Sequence, residues 1–234
     1  MLSVADLSYR TLERIRIAAP VERVAFIADR CRGKRVLDLG CLDETALDKR
    51  ETDEWLHQRI GSVAQDVIGI DLSDRLPPEG LVTGPRSRIL KGDGTNPPIA
   101  REAVDIIVAG EFIEHIPNPL EFLVTMRSRY RGCELVLSTP NGTSFANALL
   151  GSIGREAQHR DHLMTSTYKT LNTLCRQAGC DEWDIVPYRF YATEMLLQVS
   201  GAKRLATRAV EALIRAYERL FPLRSFGYIV RITL

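Results

Sequence analysis

Short apolar runs that end on an acidic residue or a glycine recur along the first two thirds of this chain. Arg35-Val-Leu-Asp-Leu-Gly40, Val67-Ile-Gly-Ile-Asp71, the weaker Arg88-Ile-Leu-Lys-Gly-Asp93, Val104-Asp-Ile-Ile-Val-Ala109 and Cys133-Glu-Leu-Val-Leu-Ser138 each read as a buried strand. Polar or helix-periodic stretches separate them, with a helix predicted over about 119–129. Ahead of the first strand, Leu12, Ile15, Val24 and Ile27 recur at mixed helical spacing broken by Pro20, which predicts two short helices within 1–30. A helix over about 168–178 and a strand over 183–187 follow. Ala206, Ala209, Val210, Leu213, Ile214, Tyr217, Leu220 and Phe221 then keep helical spacing, with Lys203, Arg204, Arg208, Arg215 and Arg219 at polar positions. That is a long amphipathic helix, and 226–234 closes the chain as a strand.

Strands alternating with helices predict an α/β fold: a doubly wound, Rossmann-like, mainly parallel seven-stranded sheet with helices on both faces. The expected organisation is one domain over 1–234. Helices occupy 1–30, a core spans 33–188, and a helical insertion over 189–225 precedes the last strand at 226–234. Ligands of such sheets bind beyond the carboxyl ends of the strands, where Asp38, Gly40, Asp71, Asp93, Glu111 and Glu114 would stand.

Composition narrows the class without naming it. The 234 residues are 45% hydrophobic and 26% charged, a globular profile. A formal charge of +1 gives no global electrostatic hold on nucleic acid or an anionic membrane. No apolar run approaches the ~18 residues of a spanning helix. Asp6, Arg10, Glu13, Arg14 and Arg16 leave no signal-peptide core over 1–20, so a cytoplasmic location is expected. Cys31, Cys41, Cys133, Cys175 and Cys180 are odd in number and form no C-x-x-C pair, so reduced thiols are expected rather than disulfides or a zinc site.

A glycine turn after the first strand lets a ligand approach backbone N–H groups, and an aspartate ending the second can accept both hydroxyls of a ribose. The dinucleotide fingerprint is absent, because Cys41, Leu42, Asp43 and Glu44 follow Gly40. A ligand with ribose and adenine but no phosphate fits better. With these motifs in this order, the chain resembles the class I S-adenosylmethionine-dependent methyltransferases over roughly 23–179. Val36-Leu-Asp-Leu-Gly-Cys41 looks like their first motif and Val67-Ile-Gly-Ile-Asp71 like the second. Gly92-Asp93-Gly94 looks like the adenine-contacting segment, and Asp105-Ile-Ile-Val-Ala-Gly110 like the fourth strand. The resemblance implies S-adenosylmethionine held by Asp38, Gly40, Cys41, Asp71, Leu72, Asp93, Gly94 and Gly110, with Asp71 on the ribose and Asp93 on the adenine amino group. The first motif departs from the family, since Leu42 and Glu44 stand where further glycines are usual. The long spacing from Gly40 to Asp71 also predicts an inserted loop over 43–65. A scaffold that kept the fold and lost the site is the non-catalytic alternative.

The fourth strand is followed by Glu111-Phe-Ile-Glu114-His115. In a helical turn Glu111, Glu114 and His115 would share one face, and two carboxylates with an imidazole suit a divalent cation. The string resembles the ubiquinone-biosynthesis O-methyltransferases, which implies magnesium at these three positions. In metal-free relatives the same glutamate and histidine cap the helix or line the pocket. His162 and His159, followed by Leu163, are candidate catalytic residues beside His115, with Asp161 in support, because imidazole accepts a hydroxyl proton near neutral pH. Methyl transfer from a sulfonium needs alignment and removal of the acceptor's proton, so these groups point to an oxygen acceptor. The N/D-P-P-Y signature of amino-directed enzymes is missing, because Asn96-Pro-Pro98 precedes no aromatic residue.

Segments 145–158 and 202–221, with Trp55, Tyr188, Phe190 and Tyr191, are the expected contributors to the acceptor pocket. The Thr-Pro-Asn141 and His159-to-Leu163 arrangement resembles methyltransferases of bacterial glycan and glycolipid pathways. That implies a sugar or oligosaccharide hydroxyl in polysaccharide biosynthesis; the alternative is a quinol or other phenol. No basic extension suggests nucleic acid as a partner. The late helix stands as a pocket cover, a homodimer interface or a basic amphipathic surface element.

Overall fold

The computed structural model describes residues 7–42, 46, 55–156 and 158–234. Helix α1 (Arg23–Arg30) leads into β1 (Arg35–Leu39), and α2 (Leu56–Gly61) into β2 (Asp66–Asp71). A hairpin of β3 (Leu81–Gly84) and β4 (Ser87–Lys91) follows, then β5 (Ile106–Gly110), α3 (Pro119–Arg129) and β6 (Glu134–Pro140). The chain continues through α4 (Phe145–Ser152), α5 (Tyr168–Gln177), β7 (Glu182–Tyr188), α6 (Thr193–Gln198), α7 (Gly201–Leu220) and β8 (Gly227–Thr233).

The strands form one sheet in the order β3-β4-β2-β1-β5-β6-β8-β7. From β4 to β6 all neighbours are parallel, β8 runs antiparallel between β6 and β7, and β3 runs antiparallel to β4. The sheet therefore has eight strands where seven were expected. The extra one, β3, is a four-residue edge strand with no fully buried side chain, so its sequence carries no apolar run. Side chains alternate across β1: Leu37 and Leu39 pack with Phe122 and Met126 of α3 and Leu171 of α5. Val36 packs on the other face with Ile27 of α1 and Ile60 of α2. Helices thus cover both faces, as the near-continuous apolar strands require.

The helix expected ahead of α1 is absent among the described residues. The Glu13 carboxylate instead accepts the Ser8 and Tyr9 backbone N–H groups at 2.6 and 3.0 Å, which competes with helical bonding. Tyr9 and Leu12 adopt positive φ, and Val21 bridges to Tyr188. Of the expected inserted loop, 43–45 and 47–54, with Glu44, lie outside the described residues, as do 1–6 in the N-terminal segment. All five cysteines are free and buried.

Helix α3 begins at Asn118, whose side chain accepts the Glu121 N–H at 3.1 Å, with Pro119 in its first turn. Helix α7 is held by Ile214, by the Phe145–Tyr217 ring stack at 3.9 Å, and by two inward glutamates. Glu218 accepts the Phe190 N–H at 2.8 Å and Glu211 that of Ala192 at 3.1 Å. Its outer stripe, Leu205, Leu213 and Leu220, is exposed. Among the described residues no helix is long and apolar enough to cross a membrane.

Candidate active site

At the end of β1, Gly40 adopts φ +63°, and a Cβ there would stand 2.5 Å from Cδ2 of Phe112. The same ring lies 3.1 Å from a Cβ placed on buried Gly94. Phe112 therefore covers the space between two backbone turns that only glycine leaves this open. Asp71, ending β2, accepts the Leu42 N–H on one carboxylate oxygen and the Ser73 N–H on the other, both at 2.8 Å. Leu72 is exposed beside it, and exposed Asp93 accepts the N–H and hydroxyl of Thr95.

Three expected contacts are committed elsewhere. Asp38 is buried and its carboxylate receives a 2.8 Å bond from Nδ1 of His57, whose Nε2 reaches the Thr83 and Ser87 hydroxyls at 2.9 and 3.1 Å. Cys41 is buried against this pair, its Sγ within 2.6 Å of a Cβ placed on Gly69, while its carbonyl accepts the Trp55 indole N–H. Gly110 packs under Leu56. Trp55 and Phe190, expected at the acceptor pocket, are core residues, as is Tyr188.

The shared helical face of Glu111, Glu114 and His115 does not form. Glu111 has φ +52°, so its side chain leaves the face on which i, i+3, i+4 spacing would put it. Its carboxylate accepts the Ser138 and Tyr188 hydroxyls at 2.9 and 3.0 Å, with Arg23 at 4.0 Å. Ser138, Tyr188 as its partner, and Arg23 were not assigned this role from sequence; nothing local in Arg23's surroundings signals it. The structure instead groups Glu114, His115 and His162, whose ligand atoms all lie within 4.8 Å of one another.

Glu114 is 1% exposed and neither carboxylate oxygen has a hydrogen-bond partner. Burial, and then the nearby Glu111, push its pKa well above the ordinary value. His115 Nδ1 donates to the Asp161 carbonyl at 3.2 Å, and His162 Nδ1 to Oε1 of Gln158 at 3.1 Å. In that assignment both rings keep an Nε2 lone pair. Burial and the neighbouring His115 lower the His162 pKa, which favours its neutral form. His159 stands at the rim, its ring 5.7 Å from that of His162, with Asp161 alongside. The arrangement can bind a cation or accept a proton.

A family model described as a methyltransferase domain matches residues 10–184. A probable S-adenosylmethionine-dependent methyltransferase of Mycolicibacterium smegmatis is 29% identical over 121 residues, 51% of this chain and 43% of that protein. The chain thus spans less than half the length of that relative. A ubiquinone biosynthesis O-methyltransferase of Roseobacter denitrificans is 25% identical over 226 residues, 92% of this chain and 86% of the other. A solved S-adenosylmethionine-dependent methyltransferase of Thermotoga maritima, described as a possible histamine N-methyltransferase, superposes with TM-score 0.56 at 16% identity, covering 91% of this chain and 87% of its own. The small RNA methyltransferase HEN1 also superposes with TM-score 0.56, at 19% identity, over 95% of this chain and 27% of its own. These two structural likenesses concern the fold.

Proposed function

The chain belongs to the methyltransferase domain family, and on that premise we propose that it is an S-adenosylmethionine-dependent O-methyltransferase assisted by a divalent cation. When bound, the sulfonium cofactor supplies an activated methyl group. The chain's own residues fit it: Gly40, in a positive-φ turn under the Phe112 ring, stands at the end of β1 without a side chain, and the Asp71 carboxylate ends the neighbouring β2 where the ribose hydroxyls would lie. Asp93 is exposed at the neighbouring strand end, where an adenine amino group would find it.

The observation that carries the oxygen chemistry is Glu114, a buried carboxylate without a partner, beside two imidazoles with free Nε2 lone pairs. One carboxylate with two imidazoles suits manganese, iron or zinc better than the magnesium expected from sequence, which prefers an all-oxygen shell. In this reading Glu114, His115 and His162 hold the cation. A cation there lowers the pKa of an acceptor hydroxyl. His159 and Asp161, beside the cluster, are the groups placed to take the proton. Residues 33–188 form the cofactor-binding core, and 189–225 cover the acceptor side.

A sugar or glycan-precursor hydroxyl is the proposed acceptor, without nucleic acid as a partner. The Roseobacter relative, matched over most of both chains, supports a quinol or phenol as the second reading. Calorimetry with S-adenosylhomocysteine tests the foundation: micromolar binding is expected, and no binding at all would favour the non-catalytic scaffold. Repeating the titration with Mn²⁺, Zn²⁺ and Mg²⁺ tests the metal; equal indifference to all three would remove it.

A further inference from the structure

A cleft of about 630 Å³ opens between α4 and residues 154–156, 158 and 165. We propose that it is the acceptor subsite and that it takes an anionic polyhydroxylated molecule, a phosphorylated sugar, rather than a phenol with an apolar tail. The proposal deepens the transferase reading above and rests on it.

Most of the side chains lining the cleft carry polar groups. Thr143, Asn147, Gln158 and Thr165 present hydroxyls and amides, and Ala148 is the single apolar side chain among the described lining residues. Arg155 and Arg224 bring two guanidinium groups against one carboxylate, Glu156. Gly142, Gly151 and Gly154 contribute bare backbone, and a Cβ on Gly151 or Gly154 would meet no atom within 4 Å, so they keep the cleft wide. The volume lies within the usual range of small-molecule sites. An apolar tail gains free energy by burial against apolar side chains, and the described lining offers only that of Ala148. A polyol exchanges its water for the threonine and amide partners, and a guanidinium fork matches a phosphate.

Gln158 links the cleft to the chemistry. Its Oε1 accepts the His162 Nδ1–H at 3.1 Å, and its NH₂ remains for a ligand in the cleft. One residue thus lines the subsite and fixes the tautomer of a cluster imidazole. A sugar anchored by its phosphate at Arg155 would extend a hydroxyl past Gln158 toward Glu114, His115 and His162.

The test uses the full chain with S-adenosylhomocysteine and three probes, glucose 1-phosphate, glucose and 4-octylcatechol, followed by ligand-observed NMR. Glucose 1-phosphate should bind more tightly than glucose, and 4-octylcatechol should not compete with it. Arg155→Glu should weaken glucose 1-phosphate by about tenfold or more. Gly151→Leu should block it sterically while leaving S-adenosylhomocysteine affinity and the melting temperature unchanged, since the added side chain enters open space. Equal binding of glucose and its phosphate, preference for the catechol, or indifference to both substitutions would overturn the proposal. Loss of S-adenosylhomocysteine binding in the unsubstituted chain would instead strike the transferase reading, so the two failures are told apart.

Discussion

His57 and Asp38 share a 2.8 Å hydrogen bond in a space closed to solvent, the imidazole 0% and the carboxylate 2% exposed. Through Nε2 the same imidazole reaches Thr83 and Ser87, so the edge hairpin is tied to β1 two residues before the Gly40 turn. His57→Ala leaves a buried carboxylate unpaired and should cost about 3 kcal/mol, read from urea unfolding. Asp38→Leu combined with His57→Phe should cost less than the two single changes added together. Strict additivity would show that the bond contributes nothing.

Gly40→Ala meets two penalties. The positive φ costs a side chain about 1 kcal/mol, and the Cβ collides with the Phe112 ring. We expect a lower melting temperature and at least about tenfold weaker S-adenosylhomocysteine binding. Adding Phe112→Ala should restore the steric part of the loss and leave the backbone part. A double variant no better than the single one would mean the ring is not the obstacle.

Glu114→Gln keeps the shape of the buried group and removes its ability to ionise and ligate a cation. The unsubstituted chain should gain melting temperature with Mn²⁺ or Zn²⁺, and the variant should not. Without added metal the variant should be at least as stable, because burial and Glu111 already disfavour the charged form of Glu114. A variant that still responds to metal would place the cation elsewhere.

Glu218, on the buried face of α7, gives a pH signature of its own. Burial pushes its pKa up to about 7 from the ordinary 4.5, against the opposing hydrogen bonds from the chain. A raised carboxylate value means the folded state holds the proton more tightly. Its contribution is therefore full below about 4.5 and is lost as pH rises through about 7. Glu218→Gln should flatten this decline and gain up to about 3 kcal/mol at pH 8, measured by denaturant midpoints across pH. Parallel curves for both proteins would show that Glu218 titrates normally.

Much of the architecture was legible because these strands are buried on both faces and so carry uninterrupted apolar runs. Helix α3 appeared over its full length, since Asn118 and Pro119 mark its start locally. Strand β3 has no such run, being short and half-exposed, and its pairing with β4 is a tertiary fact. The N-terminal segment misled because apolar spacing says nothing of a carboxylate, Glu13, that takes the backbone's donors. At the site, the spacing of Glu111, Glu114 and His115 has meaning only within a helix. One residue in left-handed conformation breaks that assumption and sends Glu111 to Tyr188. His162 enters the cluster from a distant loop, and no periodicity reports such proximity.

Strand β8 lies between β6 and β7 and pairs with both along its whole length, from Gly227 to Thr233. During synthesis its two neighbours emerge first, and each waits with an unpaired edge while α6 and α7 are translated, an interval on the order of seconds. Half-made chains therefore expose the open edge of β6 and a wholly unpaired β7 at once, and intermolecular pairing at that stage competes with completion of the sheet. Yield in a cell should depend on translation speed and on holdase chaperones more than the stability of the finished protein would suggest.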